Sequence, residues 1–353
     1  MAIYIIAAVL MFGILIAVHE FGHFITAKLS GVTVHEFSIG MGPLLWHKQG
    51  AETEYSLRLL PIGGFCAIEG EEGDSEDPHS LGNQSFWRQV LVFAAGAAMN
   101  FLLGLVIVCA IYSTAGGFYT AEISALNEGF PPEQDVQVGD VIYAINGERI
   151  YTMSDVNLVM NYGRFDEEGT LHMTVLRDGE KLRRTLRLTD YTDENGESYR
   201  AYGFTYGGVV EATLWNKLKY SWYSTVDFVR MVRMSLQMLV TGQAGVQDLS
   251  GPVGIVSTIT EVGQNSASIG DAISNIAYFA ALISVNLAVM NLLPIPALDG
   301  GKILFLCINT LALKFFGKKM PQRFENAVTV AFFALLMCMM LFVTFSDITK
   351  LIS

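Results

Sequence analysis

MAIYIIAAVLMFGILIAVHEFGH, residues 1–23, decides the fold. No charged side chain occurs from Met1 to Val18, and the run passes directly into His19-Glu20-Phe21-Gly22-His23. An apolar helix of about 20 residues crosses the hydrocarbon core of a bilayer. In a helix, residues i and i+4 share a face, so His19 and His23 can grip one metal ion with Glu20 beside it. A metal-bound water and a carboxylate together perform peptide hydrolysis. Their position at the end of an apolar stretch places that chemistry inside or at the edge of a membrane. The same stretch could be read as a cleavable leader, but it has no basic n-region and no Ala-x-Ala site before a polar start. It is read as a retained span.

Further blocks of the same kind lie along the 353-residue chain. Gln89–Ala121, Ala272–Leu298 and Ala327–Ser346 carry no charged residue. Hydrophobic residues make up 52% of the chain, only modestly above a soluble domain, so it is their concentration in blocks that marks a membrane protein. Four spans are expected, near 2–22, 90–112, 273–294 and 325–346. The net charge is -12, and no basic patch is dense enough for nucleic acid. Cys66, Cys109, Cys307 and Cys338 are scattered without a C-x-x-C pair, which indicates neither a disulfide framework nor a thiolate metal cage.

Short-loop charges set the expected orientation. Residues 24–88 carry Lys28, Lys48, Arg58 and Arg88, and the loop after the third span carries Lys302, Lys314, Lys318, Lys319 and Arg323. The N-terminus has no Lys or Arg and the tail has only Lys350. Both basic loops are therefore expected in the cytoplasm and both termini outside. The first and third spans then enter from the same side, which brings the histidines and Asp299 to a similar depth near the cytoplasmic face.

Between the spans the pattern changes. Val32–Ile68 alternates short apolar runs with Gly and Pro, as short strands and turns do. It reads either as an ordinary hairpin sheet or as an edge that pairs with an extended substrate. Val138–Gly147, a helix near Ser154–Asn161, and strands around Leu171–Arg177 and Lys181–Leu188 joined at Asp178-Gly179 form a small water-soluble β-rich insert. The insert is a spacer, or a receiver of peptides on an exposed edge. Trp215–Val240 mixes aromatics with Lys217, Lys219, Arg230 and Arg233 and suits a helix lying at the interface. The Gly-rich loop Ser250–Ile255 follows.

A catalytic zinc needs a third protein ligand and an open position. His35, His47, His79 and His172 lie outside the expected spans and are weak candidates. Asp299 is the strong one, in Asn291-Leu-Leu-Pro-Ile-Pro-Ala-Leu-Asp-Gly-Gly301. Pro294 and Pro296 interrupt the helix, and an unwound, carboxylate-bearing segment at membrane depth is expensive unless it serves a site. The alternative role for Asp299 is a cap on a cytoplasmic helix.

These paired motifs resemble the site-2 protease family of zinc intramembrane metalloproteases, over nearly the whole chain. The resemblance includes His19–His23, Asn291–Gly301, the Gly251-Pro-Val-Gly-Ile255 loop and a PDZ-like insert around Val138–Gly147. It is greatest to the bacterial RseP/RasP branch, which cleaves membrane-anchored anti-sigma factors. The resemblance implies zinc (Zn2+) on His19, His23 and Asp299, and Glu20 as the catalytic carboxylate. Asn291 matches an asparagine placed near the substrate backbone, or else serves an interspan hydrogen bond. Asn100, in Ala95–Phe101, is the other candidate substrate-binding residue, or else organises span packing. The family often has Pro where Ala97 stands.

The expected fold is thus a polytopic α-helical membrane protein with four transmembrane helices, a short membrane-associated β region and one extracytoplasmic PDZ-like domain. The expected divisions are 1–31, first span with the histidine motif; 32–88, cytoplasmic-side β-hairpin region; 89–115, second span; 116–208, PDZ-like domain; 209–271, interfacial helix and Gly-rich loop; 272–301, third span; 302–324, basic cytoplasmic loop; and 325–353, fourth span and tail. The expected function is zinc-dependent endopeptidase cleavage of single-span membrane proteins such as anti-sigma factors after prior trimming, with remnant signal peptides as further substrates. The expected partners are such a substrate, membrane lipid and, by resemblance, an upstream site-1-type protease, with no nucleic acid. The expected location is the bacterial cytoplasmic membrane. A peptide-binding scaffold explains the spans but not two histidines and an aspartate at one depth. A soluble zincin would have to bury four long apolar blocks in one small domain. A zinc transporter calls for intramembrane carboxylates beyond Glu20.

Overall fold

A computed structural model describes residues 2–71, 73, 75–163, 169–193, 196–245 and 248–352. The chain forms two compact units, Met1–Ile107 with Met238–Ser353, and the inserted Val108–Gln237.

The first unit opens with α1 (Ala2–Leu29), followed by β1 (Val34–Gln49), β2 (Glu54–Ile68) and α2 (Phe86–Tyr112). The two strands are long, but their pairing doubles back. Phe37 faces both Cys66 and Tyr55, Ile39 faces both Gly64 and Leu57, and Trp46 faces Leu57. The ribbon therefore folds into four antiparallel segments, in the order 64–68, 34–39, 54–60 and 44–49. Pro43 and Pro61 stand beside the bends between them, and the outer edge of 64–68 pairs with no other described strand. The short strands and turns expected from the Gly and Pro spacing are these segments.

The inserted unit contains β3 (Gly117–Tyr119), β4 (Ile123–Leu126), β5 (Val141–Ile145), β6 (Glu148–Arg149), α3 (Met153–Tyr162), β7 (Leu171–Arg177), β8 (Glu180–Leu186), β9 (Thr189–Thr192), β10 (Ser198–Ala201), β11 (Phe204–Tyr206), β12 (Val209–Glu211) and α4 (Leu214–Val240, whose last three residues fall in the first unit). Its main sheet has the order β6-β5-β7-β8, with smaller pairs β4–β11, β3–β12 and β9–β10. Asn146-Gly147 and Asp178-Gly179 turn the two hairpins with positive φ at all four residues, which two-residue hairpin loops favour. Thr152 and Asp155 form a capping box at α3. Alternate inward residues such as Ile142, Leu171, Met173 and Val175 close a core of their own. α4 belongs with this unit, where Arg230 bonds Asp155 and Arg233 bonds Glu148. The unit is thus wider than the expected 116–208.

The first unit resumes with α5 (Pro252–Asn265), α6 (Ile269–Asn291), α7 (Asp299–Phe316) and α8 (Gln322–Ile352). Four helices are long and apolar enough to cross a membrane: Ile3–Leu29, Phe86–Tyr112, Ile269–Asn291 and Gln322–Lys350. Large apolar side chains such as Ile6, Leu10, Ile14, Phe333, Leu341 and Phe342 lie exposed along α1 and α8, as lipid-facing surfaces require. Two expectations change. Segment 209–271 holds α4 and a second helix, because Pro252 starts α5 within the expected Gly-rich loop Ser250–Ile255, most of which is helical. Segment 302–324 is mostly helix rather than loop. The uncharged run between Lys302 and Lys314 is too short for a span but long enough for α7, which Gly317 ends in the left-handed region.

Candidate metal centre

Three elements of the first unit converge on one point. α1 carries His19 and His23 one turn apart on one face. Beyond Asn291 the chain leaves helix at Leu292 and re-enters it at Asp299. Pro294 and Pro296 make that break unavoidable. Gly300 and Gly301 let the new helix tuck beneath the preceding turn: a Cβ on Gly300 would collide with the Leu292 and Leu293 carbonyls, and one on Gly301 with Ile295 and Pro296. This fold-back presents Asp299 to the histidines.

The three donor atoms form a nearly equilateral triangle. Asp299 Oδ2 lies 3.1 Å from His19 Nε2 and 3.3 Å from His23 Nε2, and the two nitrogens are 3.2 Å apart. Ligand atoms around a tetrahedral zinc with bonds of about 2.0–2.1 Å stand roughly 3.3–3.4 Å apart, so the spacing fits. The tautomers fit as well. His23 Nδ1–H donates to the Val92 carbonyl at 2.8 Å, which leaves its Nε2 lone pair facing the triangle. Asp299 Oδ2 is buried and has no hydrogen-bond donor among the described residues. Acceptors gathered this closely in a buried place are at ease only around a cation. Among the described residues these three are the one group of His, Cys, Asp or Glu side chains so gathered.

α2 forms the back wall. A Cβ on Gly96 would stand 2.7–2.8 Å from His19 Cε1 and Nε2 and would collide with His23 Nε2, so only glycine leaves room for the cluster. One turn on, Asn100 is fully buried with its amide 3.4 Å from His19 Nδ1. Its Oδ1 has no partner among the described residues, and exchanging the two ends of the amide, which are alike in shape, would offer that oxygen to an Nδ1–H. Its backbone carbonyl accepts from Ser284 of α6 at 2.7 Å. Val92, Gly96 and Asn100 thus line one face of α2 at intervals of four. That spacing is visible in the sequence, yet the roles of Val92 and Gly96 were not anticipated.

Glu20 is partly buried and stands beside the triangle, with its Cγ 3.5 Å from the place a Cβ on Gly64 would occupy. The candidate catalytic carboxylate therefore borders the unpaired sheet edge. Asn291 ends α6, just before the break that leads to Asp299. His35 and His47 pair instead with Glu69 and Glu54, and His79 bonds the Gly31 carbonyl.

Comparison with known proteins places this arrangement in context. The profile of peptidase family M50 matches residues 7–339. A protein of Clostridium acetobutylicum, whose name marks it provisionally as a zinc metalloprotease, is 35% identical over 347 residues, covering 98% of this chain and 97% of its own length. A similarly named protein of Clostridium perfringens is 36% identical over 347 residues, covering 98% of each chain. The regulator of sigma-W protease RasP of Bacillus subtilis is 29% identical over 433 residues, again covering 98% of each.

Proposed function

Because the chain belongs to peptidase family M50, we propose that it is a zinc-dependent intramembrane endopeptidase with His19, His23 and Asp299 as ligands and Glu20 as the catalytic carboxylate. The observation that carries this reading is the donor triangle at the end of an apolar helix, with a carboxylate beside it. When bound, zinc supplies Lewis acidity, which makes water a nucleophile at neutral pH and polarises a carbonyl. Glu20 takes the proton of the attacking water and later gives a proton to the leaving amine. The Val92 carbonyl and the Asn100 amide hold the imidazole rings in orientation. The wall at Gly96 keeps the histidine side of the centre closed.

A transmembrane substrate hides its carbonyls in its own helix, so it must unwind before it can be cut. The free edge at 64–68, next to Glu20, suits an extended segment, because backbone N–H and C=O groups there can replace the bonds lost on unwinding. Helix-breaking residues in the substrate should assist by lowering the unwinding cost. Asn291, at the end of α6 before the break that leads to Asp299, is the proposed contact to the substrate backbone. Single-span membrane proteins are the proposed substrates. Anti-sigma factors trimmed by an upstream protease are favoured by the likeness to a sigma-W regulator, and remnant signal peptides extend the same chemistry. The inserted unit is proposed as a PDZ-like domain outside the cytoplasm, which either excludes untrimmed substrates or binds their new C-termini. Replacing the inserted unit beyond α2, residues 113–237, with a short linker and assaying trimmed and untrimmed substrates separates the two roles, and unchanged rates on both would count against each.

The proposal is tested with detergent-solubilised protein and a single-span peptide. Glu20→Gln should retain zinc and lose at least about a hundredfold in cleavage rate, the lower range of general acid–base contributions. Full activity in that variant would remove Glu20 from the mechanism.

A further inference from the structure

Lys302 breaks a local rule. It lies in the first turns of α7, three residues after Asp299, where the helix dipole disfavours a cation. It also lies within electrostatic range of Asp299 and Glu20. A residue placed against local preference beside a site calls for a compensating role.

Its partner supplies one. Lys302 Nζ donates to Glu71 Oε1 at 2.5 Å, and its ammonium sits 5.8 Å from the centre of the Phe93 ring on α2. Glu71 belongs to a connection that is itself pinned down. Glu69 N–H donates to the Thr33 carbonyl, Thr33 N–H to the His79 carbonyl and Leu81 N–H to the Glu69 carbonyl, at 2.8–3.1 Å. α7 needs such an anchor. Gly300 and Gly301 are its only buried residues among those described, and neither carries a side chain to hold it, while Ile303 and Leu306, themselves only partly buried, pack against the cluster that holds Val92 and Phe93. Farther along, Asn309 bonds Glu325 of α8, well away from the ligand-bearing turn. The Glu71–Lys302 pair is the polar tie, among described residues, between that first turn and the segment leading into α2.

We infer that Glu71 and Lys302 are positioning residues of the metal centre, whose ion pair fixes the first turn of α7 and so holds Asp299 against the two histidines. The inference rests on the reading of those three residues as zinc ligands. Glu71 also cancels the charge that Lys302 brings near the ion, so the pair can orient α7 without opposing metal binding.

The sign of one effect separates positioning from a simple field. Removing a cation near a metal strengthens binding if only charge matters. Losing a positioning contact weakens it, by about tenfold for groups that orient ligands. The test is zinc affinity by chelator competition on the full-length protein in detergent. Lys302→Met should bind zinc about tenfold more weakly, and Lys302→Arg should stay near the wild type. Adding Glu71→Gln to Lys302→Met should cause no further loss, because the tie is already gone. Zinc-free thermal unfolding should be the same in all of them, which a general loss of fold would not allow. Equal or tighter zinc binding by Lys302→Met would overturn the inference. If Lys302→Met does not fold, Lys302→Ala decides, because it removes the same cation: about tenfold weaker binding supports the inference, and equal or tighter binding overturns it. Absence of zinc from the wild type would instead refute the ligand reading itself.

Discussion

Gly96 shows how tightly single positions are constrained here. Its missing side chain is the space the His19, His23 and Asp299 cluster needs, so Gly96→Val should abolish the proposed zinc binding while leaving the helical circular dichroism signal intact. Retained zinc would show that α2 can withdraw from the cluster. Asn100 admits a graded test. Asn100→Leu removes the group facing His19 Nδ1 and should weaken zinc binding by about tenfold or more, whereas Asn100→Asp keeps an acceptor there and should lose less. Equal losses in both would argue for a packing role. At this scale the His19 and His23 pair could be read in sequence because four residues of helix determine it. Asp299 could be picked out as a candidate because Pro294, Pro296 and two glycines surround it. The demand for glycine at position 96 could not, since it arises only where two helices distant in sequence cross.

Elements are joined in the first unit by polar contacts that hydropathy does not reveal. Asp347, on the long apolar helix α8, is only 4% exposed. Its Oδ2 accepts from Gly251 N–H at 2.9 Å and Gly254 N–H at 2.8 Å, and so caps the start of α5 from a neighbouring helix. A carboxylate at a helix N-terminus also suits the dipole. Asp347→Ala strands two amide donors and should lower stability by about 1–3 kcal/mol or more in detergent unfolding, while Asp347→Asn keeps an acceptor and should lose less. Identical melting of wild type and Asp347→Ala would mean that water serves these amides as well. The Gly-Pro-Val-Gly stretch reads in sequence as a loop, but Pro252 opens α5 there, and neither that start nor its partner 96 residues away was legible. α7 was hidden for a different reason. Its basic ends resemble a cytoplasmic connection, and its uncharged run is too short to carry the signature of a span.

Across the molecule, the four apolar helices were legible because lipid imposes a length and a composition, and neither depends on tertiary contacts. The inserted unit was legible in its turns, less so in extent, because α4 joins it through buried charges. There Asp227 sits beside Asp155, with Thr152 and Arg230 nearby. Burial and the neighbouring Asp155 carboxyl raise the Asp227 pKa above the ordinary aspartate value, against the pull of Arg230 and Thr152. The folded unit therefore holds this proton more tightly than the unfolded chain, and the stability it confers declines as pH rises above about 4, the unfolded value. Hydrogen exchange over residues 141–186, corrected for intrinsic rates, should show protection falling with pH across that range, and Asp227→Asn should flatten the slope. An unchanged slope would assign the pH dependence to other groups. The proposed sidedness rests on the loop charges and predicts that reporters in 302–324 read as cytoplasmic and reporters in 116–208 as external, and the reverse result would invert it. The proposed chemistry depends on one metal held between α1 and α7. Its most direct test is the metal content of the purified full-length protein. About one zinc per chain is predicted for the wild type and Glu20→Gln, with loss of zinc in His19→Ala, His23→Ala and Asp299→Ala. A wild type without zinc, or an Asp299→Ala protein that keeps it, would contradict the account.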